Sequence, residues 1–383
     1  MHGDFNGKKE ADVVPNEVVV AGVRKEVMRV FPFWKVFVEL RAKYKRKPVL
    51  VSCDVRIVDR EPCEKFAGVD VLWMQSDIVV SNGGKQPPDT NSKSKSDLTI
   101  QDRFTLGSMH FVHQKAHICG DDGSYNIQSV ILLQQREQMQ CVAGYMVHFA
   151  FIIYGMIQLV NMADCDELSK VVAPSSDSKV LIIGMGGNSM ESGIRHIVGG
   201  SAHISIVDIE PAVVRTCQRN SLLHNNPNTH IHIKGAEEAL EHCPDDCNFI
   251  FMDAFEPENG KMINSDTLVG RMHAKLAPGG ILVINEHSMP NTDKLVQLLK
   301  LFGTYHIQYI NVRGWNESII VAVRHGDTKH TGCEQHTMKL AHSVMEKYHE
   351  EYPGWLPTYN WIERCRTQRI KKEEVLTVRR WIS

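Results

Sequence analysis

The stretch Lys179-Val-Leu-Ile-Ile-Gly-Met-Gly-Gly-Asn-Ser189 decides the fold of this chain. Its first part is a short apolar run rich in β-branched residues, which predicts a buried strand. Three glycines follow, and they allow a sharp turn and a close approach of a ligand to the backbone: Gly184, Gly186 and Gly187. A helical pattern from Ser189 to Val198 comes next, and its first N–H groups point back toward that turn. The stretch therefore predicts the first strand–loop–helix unit of a nucleotide-binding α/β sheet.

The next predicted strand supports a nucleotide site, because it ends on an acid. Asp208 follows Gly187 at about the 20-residue spacing at which a carboxylate binds the ribose of a nucleotide. Pro211 then lies where the following helix should begin, at a position that tolerates proline. A plain glycine turn needs no such acid, so the two features together favour ligand binding.

Strands and helices alternate regularly beyond this point. The predicted strands are Val180–Ile183, Ile204–Asp208, His230–Lys234, Phe249–Asp253 and Ile281–Asn285. The predicted helices are Ser189–Val198, Pro211–His224, Ala236–His242 and Ile263–Leu276. Such alternation predicts a parallel sheet with helices on both faces. Tyr305–Val312 and Ser318–Arg324 are then expected to form an antiparallel hairpin, which is not the usual ending of a dehydrogenase sheet.

Four motifs carry a resemblance to a known group of enzymes. They are Val180-Leu-Ile-Ile-Gly-Met-Gly-Gly-Asn-Ser189, Val207-Asp-Ile-Glu-Pro211, Phe249-Ile-Phe-Met-Asp253 and Leu276-Ala-Pro-Gly-Gly-Ile-Leu-Val-Ile-Asn285. In this order they resemble the spermidine synthase-like branch of Class I S-adenosylmethionine (SAM) enzymes. Within that branch the sequence is most similar to the elongation factor 1-alpha lysine and N-terminal methyltransferase (methyltransferase-like 13) family. The resemblance covers about residues 100 to 325.

The resemblance implies an α/β fold with a Rossmann-like Class I methyltransferase sheet of parallel strands and a terminal antiparallel hairpin. The alternating, β-branched runs Val49–Val58 and Val69–Val80 predict a smaller β-rich N-terminal region before it. We expect four segments along the chain. Residues 1–97 form an N-terminal α+β region ending in a flexible linker, and residues 98–165 form a strand pair and a long apolar helix. Residues 166–326 form the SAM-binding domain, and residues 327–383 form a C-terminal helical tail.

SAM is the cofactor that the resemblance implies. The residues implied to contact it are Gly184, Gly186 and Gly187 at its methionine part, Asp208 at its ribose, Ile209 beside its adenine, and Gly235 with Ala236 at the adenine edge. Family members commonly carry an acid at the position of Gly235. This chain therefore lacks one hydrogen-bond acceptor for the adenine.

The predicted catalytic residues are Asp253 and Glu256, in the loop after the fourth strand. Aminopropyl transferases carry an Asp-Ser-Ser-Asp-Pro pattern at this place, and here the sequence reads Asp253-Ala-Phe-Glu-Pro257. An amine attacks a sulfonium carbon only when it is unprotonated, so a carboxylate that orients it and accepts its proton suits the chemistry. A loop cap is the alternative role for Asp253, and a solvated charge is the alternative for Glu256. Glu286 and His287, after the fifth strand, are further candidates.

Several functions remain open at this point. The first hypothesis is a SAM-dependent methyltransferase that acts on an amine of a protein, either a lysine or the N-terminus. The second is an aminopropyl transferase of the spermidine synthase type, against which the Ala254-Phe255 pair counts. A non-catalytic SAM-fold protein is the third, because Gly235 replaces an acid. A NAD-dependent dehydrogenase is the fourth, and the terminal hairpin argues against it.

Composition limits the kinds of partner and the cellular compartment that we expect for the protein. A net charge of −2 over 383 residues gives no electrostatic case for nucleic acid or an acidic membrane. No secretory signal is visible, and the ten scattered cysteines fit reduced thiols, so a cytoplasmic location is expected. The apolar segment Cys141–Met162 carries polar interruptions, so we expect a buried helix and no membrane span. No metal site is predicted at His242, Cys243 and Cys247, since no second cluster accompanies them. The sequence leaves the oligomeric state open.

Overall fold

The computed structural model describes most of the chain between residues 16 and 324, together with one short strand near the C-terminus. The described residues are 16–31, 35–82, 101–114, 125–133, 137–138, helical residues within 143–154, 177–256, 261–262, 265–286, 297–298, 300–302, 307–312, 317–324 and 365–368. Most of the expected flexible linker, residues 83–97 of 81–97, lies outside them, as do residues 1–15. The chain divides into two compact units, Met1–Gln134 and Gln135–Ser383. The finer boundaries expected from the sequence stay predictions.

The first unit is β-rich, as the alternating, β-branched runs of the sequence predict. Its elements are α1 (Asn16–Val30), α2 (Lys35–Tyr44), β1 (Val49–Pro62), β2 (Val69–Ser81), β3 (Gln101–His113) and β4 (Tyr125–Leu132). The four strands form an antiparallel sheet in sequence order. Helix α1 buries valines spaced four residues apart, Val19, Val23 and Val27, which lie on one helix face. This unit therefore has its own core of apolar side chains.

The second unit is the α/β part. Its strands are β5 (Glu137–Gln138), β6 (Lys179–Ile183), β7 (His203–Asp208), β8 (Thr229–Ile233), β9 (Cys247–Met252), β10 (Phe255–Glu256), β11 (Lys261–Met262), β12 (Leu276–Glu286), β13 (Ile307–Val312), β14 (Glu317–Val323) and β15 (Cys365–Gln368). Its helices are α3 (helical residues within 143–154), α4 (Ser189–Val198), α5 (Pro211–Arg219), α6 (Ala236–His242), α7 (Asp266–Lys275) and α8 (helical residues within 297–302).

An eight-stranded sheet organises this unit, in the order β15-β13-β14-β12-β9-β6-β7-β8. Five adjacent strands of this sheet, β12, β9, β6, β7 and β8, are parallel. Strands β14, β13 and β15 then continue the sheet antiparallel. The predicted fold class is confirmed: a parallel sheet that ends in an antiparallel hairpin. The first strand, β6, lies between β7 and β9, so the chain changes direction across the sheet at β6, which is where open α/β sheets bind ligands.

The apolar segment before the sheet is buried where it is described. In α3 the buried residues are Ala143, Met146, Val147, Ala150 and Phe151, at the alternating three- and one-residue spacing of a helix face. The Phe151 ring meets the Phe249 ring of β9 edge-on, with 5.0 Å between ring centroids. This is the packing expected of a helix that covers the sheet. Within the described residues, none of the helices combines the length and apolar character that crossing a bilayer takes.

Three details differ from the sequence expectation. Helix α5 ends at Arg219 and does not reach His224, because the chain turns at Ser221, whose φ is 56°. The loop after β9 contains the small antiparallel β10–β11 hairpin. Residues 365–368, inside the expected helical tail, form strand β15 on the edge of β13. An edge strand offers a row of unpaired backbone groups, and such pairing is invisible to local sequence patterns.

Candidate active site

The carboxyl ends of β6, β7 and β9 meet at one place, and backbone hydrogen bonds fix the loops that leave them. The Gly184 N–H donates to the Val207 carbonyl at 2.8 Å. On the other side, the Asp253 N–H donates to the Ile183 carbonyl at 2.8 Å. The parallel register therefore continues one residue past the strands. It brings the glycine loop between the two predicted site acids, Asp208 and Asp253.

Gly184 is irreplaceable at this junction for two reasons. Its φ is +94°, a conformation that side chains rarely adopt. A Cβ atom there would also overlap the backbone carbonyl group of Asp253. Gly186 has a φ of +49°, so the loop turns back on itself before α4 begins. The glycine loop is thus shaped by requirements that only a missing side chain satisfies.

A buried polar network holds the far end of this loop, and sequence reasoning missed it. Asn188 is the N-cap residue of α4 and has a left-handed φ of 58°. Its amide donates to Glu191 Oε2 at 2.6 Å and to the Leu222 carbonyl at 3.1 Å. The other Glu191 oxygen accepts from Arg195 Nε at 2.8 Å and from the Thr229 hydroxyl at 2.7 Å. The acid in the first helical turn was the available signal, because acids there complement the helix dipole.

Asp208 ties the glycine loop to the end of β7. Its Oδ2 accepts from the Met185 N–H and its Oδ1 accepts from the Glu210 N–H, both at 2.9 Å. Burial raises the pKa of Asp208 to about 6, against the opposing effect of these backbone N–H groups and that of Gly186. Each carboxylate oxygen has two lone pairs, so both oxygens can accept a further hydrogen bond. The position fits the predicted contact with two ribose hydroxyls.

The residues predicted to flank the adenine also lie near each other. Ile209 keeps 37% of its surface exposed although it is apolar. A Cβ atom on Gly235 would lie 4.0 Å from Ile209 Cδ1, and no other atom outside its chain neighbours would be as near. Gly235 is the N-cap of α6 with φ −61° and ψ 147°, an ordinary extended conformation. Ala236 begins α6 behind it. The glycine therefore satisfies no steric need, and an acidic side chain has room at this position.

Ile233, at the end of β8, is an exposed apolar residue that the sequence reading did not single out. It keeps 46% of its surface exposed and pairs in register with Asp208. The sequence feature that could have identified Ile233 is its position as the last apolar residue of a predicted strand, directly before Lys234 and Gly235.

Asp253 is half-buried at the carboxyl end of β9, beside the glycine loop. Its Oδ1 accepts a hydrogen bond from the Asn285 side-chain amide at 2.9 Å. Burial raises the pKa of Asp253 to about 6, and the Asn285 hydrogen bond opposes that rise. A carboxyl group with this pKa is ionised at neutral pH, yet it binds a proton more readily than an exposed aspartate does.

The other predicted catalytic residues are placed less centrally. Glu256 lies on β10, where its backbone pairs with Lys261 of β11. Glu286 is buried at the end of β12 and pairs with Ser318 of β14. His287 lies outside the described residues. Among the side chains that the structure describes, no cluster of three His, Cys, Asp or Glu residues with metal-binding geometry is present.

Comparisons with known proteins give only distant structural likenesses. No protein-family model matches the chain, and neither does any curated protein. A probable spermidine synthase from Corynebacterium glutamicum matches 86% of this chain and 94% of its own at 16% identity, with a TM-score of 0.45. Human methyltransferase-like protein 13 in complex with SAH matches 57% of this chain and 96% of its own at 15% identity, with a TM-score of 0.42. Spermidine synthase from Thermotoga maritima matches 74% of this chain and 86% of its own at 12% identity, with a TM-score of 0.42. The structural neighbours thus include spermidine synthases and methyltransferases, and at these identities and scores they assign no activity to this chain.

Replacing Asp253 by asparagine is expected to stabilise the protein at neutral pH. Folding raises the pKa of Asp253 from its ordinary 3.8 to about 6, so the ionised form is disfavoured in the folded state. Its contribution to stability is therefore most favourable below about pH 4 and is lost as the pH rises through about 6. At pH 7.5, Asp253→Asn should raise the free energy of unfolding by about 1–3 kcal/mol, and the gain should shrink toward pH 4.

Urea unfolding of wild type and Asp253→Asn between pH 4.5 and 7.5 measures this difference. Asp245→Asn is the matched control, because Lys275 lowers the pKa of that exposed aspartate and its replacement should bring no gain. If Asp253→Asn is less stable than wild type at pH 7.5, the Asp253 carboxylate stabilises the loop as a structural cap.

Proposed function

We propose that this protein is a SAM-dependent methyltransferase that acts on an amine of a protein, either a lysine side chain or the N-terminus. One observation carries the proposal: the backbone of Asp253 lies directly against the glycine loop at Gly184, and its half-buried side-chain carboxyl group has a pKa of about 6. A proton acceptor beside a nucleotide-type loop suits the transfer of a group to an amine. The resemblance of the sequence motifs to those of SAM enzymes implies that SAM is the methyl donor.

The described residues fit a nucleoside cofactor. Gly184 and Gly186 have positive φ, which lets the loop turn sharply at the end of β6. Asp208 offers carboxylate lone pairs for ribose hydroxyls, and Ile209 offers an exposed apolar surface for a flat base. SAM, when bound, supplies a methyl group on a positively charged sulfur. The protein's own part is to bind and orient, since positioning accounts for much of the rate of such displacements.

Asp253 would handle the proton of the substrate amine. An ammonium group has no lone pair, so it must lose a proton before it can attack. The Asp253 carboxylate accepts that proton or a hydrogen bond from the amine, and it thereby directs the nitrogen lone pair away from itself. Because the pKa of Asp253 is about 6, the rate should rise with pH through that value.

Aminopropyl transfer to a diamine is the second candidate function. Buried Glu286 at the end of the neighbouring strand β12 favours it, because a second acid at this edge of the sheet suits a substrate with two cationic groups. Against it, Ala254 is apolar and packs against the core behind the sheet, where the aminopropyl transferase pattern has a small polar residue. Decarboxylated SAM and a diamine are therefore the reagents of a parallel assay.

Two substitutions should change SAM affinity in opposite directions. Asp208→Ala removes charge-assisted hydrogen bonds to the ribose and should weaken binding by about 1.5–3 kcal/mol, or about 10- to 150-fold. Gly235→Asp adds an acceptor where the backbone and the free space allow one, and should tighten binding by about 0.5–1.5 kcal/mol. Fluorescence titration with SAM measures both variants. Gly235→Ala is the control for the second, and it should bind like wild type because methyl groups accept no hydrogen bond. Unchanged affinity in Asp208→Ala would remove Asp208 from the site.

Single-turnover transfer from radiolabelled SAM to proteins of a cell lysate tests the reaction itself. At matched SAM saturation, Asp253→Asn should label acceptors about 10²–10⁴-fold more slowly than wild type, the usual contribution of a general base. Glu256→Gln should lose less, because Glu256 lies on the separate β10–β11 hairpin. Equal rates for Asp253→Asn and wild type would make Asp253 a structural cap and turn attention to Glu286. Wild-type protein that binds SAM and labels nothing would support the non-catalytic alternative.

A further inference from the structure

We propose that Asn285 is a positioning residue, which holds one oxygen of the Asp253 carboxylate so that the other oxygen meets the incoming amine. The inference rests on the proposed function and deepens it. Sequence patterns gave Asn285 no role beyond the end of a strand, and nothing in the glycine-loop chemistry requires an amide there.

Asn285 is rigidly placed. It is 4% exposed and lies near the carboxyl end of β12, between β9 and β14 in the sheet. Ile284 pairs with Met252 of β9, so Asn285 stands next to Asp253, one residue further along both strands. On its other side, Asn285 pairs with Ile319 of β14. Side chains on paired strands are more precisely placed than those on loops, so the amide is presented at a fixed position.

Asp253 is held from two directions. Its backbone N–H donates to the Ile183 carbonyl of β6 at 2.8 Å, and its carboxylate Oδ1 accepts from Asn285 Nδ2 at 2.9 Å. Among the side chains that the structure describes, no other one donates to the Asp253 carboxylate. Because Oδ1 is engaged on the β12 side, Oδ2 is the oxygen left to accept a hydrogen bond from a substrate.

An amide is a suitable partner for a carboxylate with this task. Among the described side chains, the titratable groups at the carboxyl ends of the neighbouring strands are the acids Glu286 on β12, Glu256 on β10 and Asp208 on β7, whereas Lys179 lies at the opposite end of β6. A lysine or arginine at position 285 would lower the pKa of Asp253 further and would repel an ammonium substrate. The neutral Asn285 amide orients the carboxylate without either effect. An ammonium that reaches Oδ2 gives it one proton, which leaves a neutral amine and a carboxylic acid.

Asn285→Asp is the sharpest test, because it keeps the shape and replaces the donor by a second carboxyl group. Two carboxyl groups at hydrogen-bond distance share a proton, which raises the apparent pKa of the pair. In single-turnover transfer, the pH at which the rate reaches half its maximum should rise by about one unit or more. The rate at pH 7 should fall about 2-fold or more, while the Kd for SAM stays within about 2-fold of wild type. Asn285→Ala, which only removes the donor, should shift the profile less and in the same direction.

Asn248→Asp is the matched control. Asn248 lies on β9, the strand that leads to Asp253, but at its opposite end. There the Asn248 Oδ1 accepts a hydrogen bond from the Lys179 N–H at 2.9 Å. A carboxylate keeps that hydrogen bond, so the pH profile should stay that of wild type. If Asn285→Asp folds, transfers and keeps the wild-type profile, the positioning role is overturned.

Carbon-13 NMR of labelled aspartate carboxyl groups separates this inference from the proposed function, because it needs no substrate. The Asp253 signal, assigned by its loss in Asp253→Asn, should titrate at higher pH in Asn285→Asp and Asn285→Ala than in Asn248→Asp. If the wild-type protein transfers no methyl group, the proposed function is wrong, and the NMR titration still tests the effect of Asn285 on Asp253. If Asp253 titrates at the same pH in all variants, the positioning role of Asn285 is overturned.

Discussion

At Gly184 the chain passes so close to Asp253 that no side chain fits between them. Two backbone hydrogen bonds set this approach, one from Gly184 to Val207 and one from Asp253 to Ile183. Because backbone hydrogen bonds join the loops after β6, β7 and β9 in this way, the glycine loop lies between two half-buried acids. Everything proposed about the site depends on that juxtaposition, which a Cβ atom at position 184 would break.

Ionisation of the two acids in the folded protein costs free energy, and the two carboxylates have different hydrogen-bond partners. Burial raises the pKa of both Asp208 and Asp253 to about 6, so each carboxylate is less stable in the folded protein than in water. Asp208 is compensated by backbone N–H groups of the loops on either side of it, which suits a residue that must stay ionised and hold hydroxyls. Among the described side chains, Asn285 is the single amide partner of Asp253, which leaves the other carboxylate oxygen available to a substrate. Buried acids with raised pKa values are typical of functional sites, where a group is retained for its chemistry and not for stability.

Local patterns predicted much of this fold, because the strands and helices of a parallel α/β sheet alternate along the sequence. The apolar run before Gly184 and the helix Ser189–Val198 were predicted with the bounds that the structure shows, to within one residue. The terminal hairpin of β13 and β14 was predicted from its change of period. Strand β15 was not, because it pairs with residues more than 50 positions away and has no period of its own to mark it.

The site was predictable only in part, for a related reason. Glycines and strand-ending acids have a recognisable spacing, so Gly184, Asp208 and Asp253 were found. The residues that hold them are joined across the sheet. Asn285 meets Asp253 from the neighbouring strand, and Thr229 of β8 completes the Glu191–Arg195 pair of α4. Such contacts depend on the strand order, which sequence spacing does not give.

Isothermal titration calorimetry of the wild-type protein with SAM, decarboxylated SAM and NAD would decide which ligand the site binds. We infer that the edge between the glycine loop and Asp253 binds a sulfonium nucleoside, with Asp208 on its ribose. We expect one SAM bound per chain, weaker binding of decarboxylated SAM and no heat from NAD. Binding of NAD in preference to SAM, or no binding of either sulfonium compound, would contradict this inference.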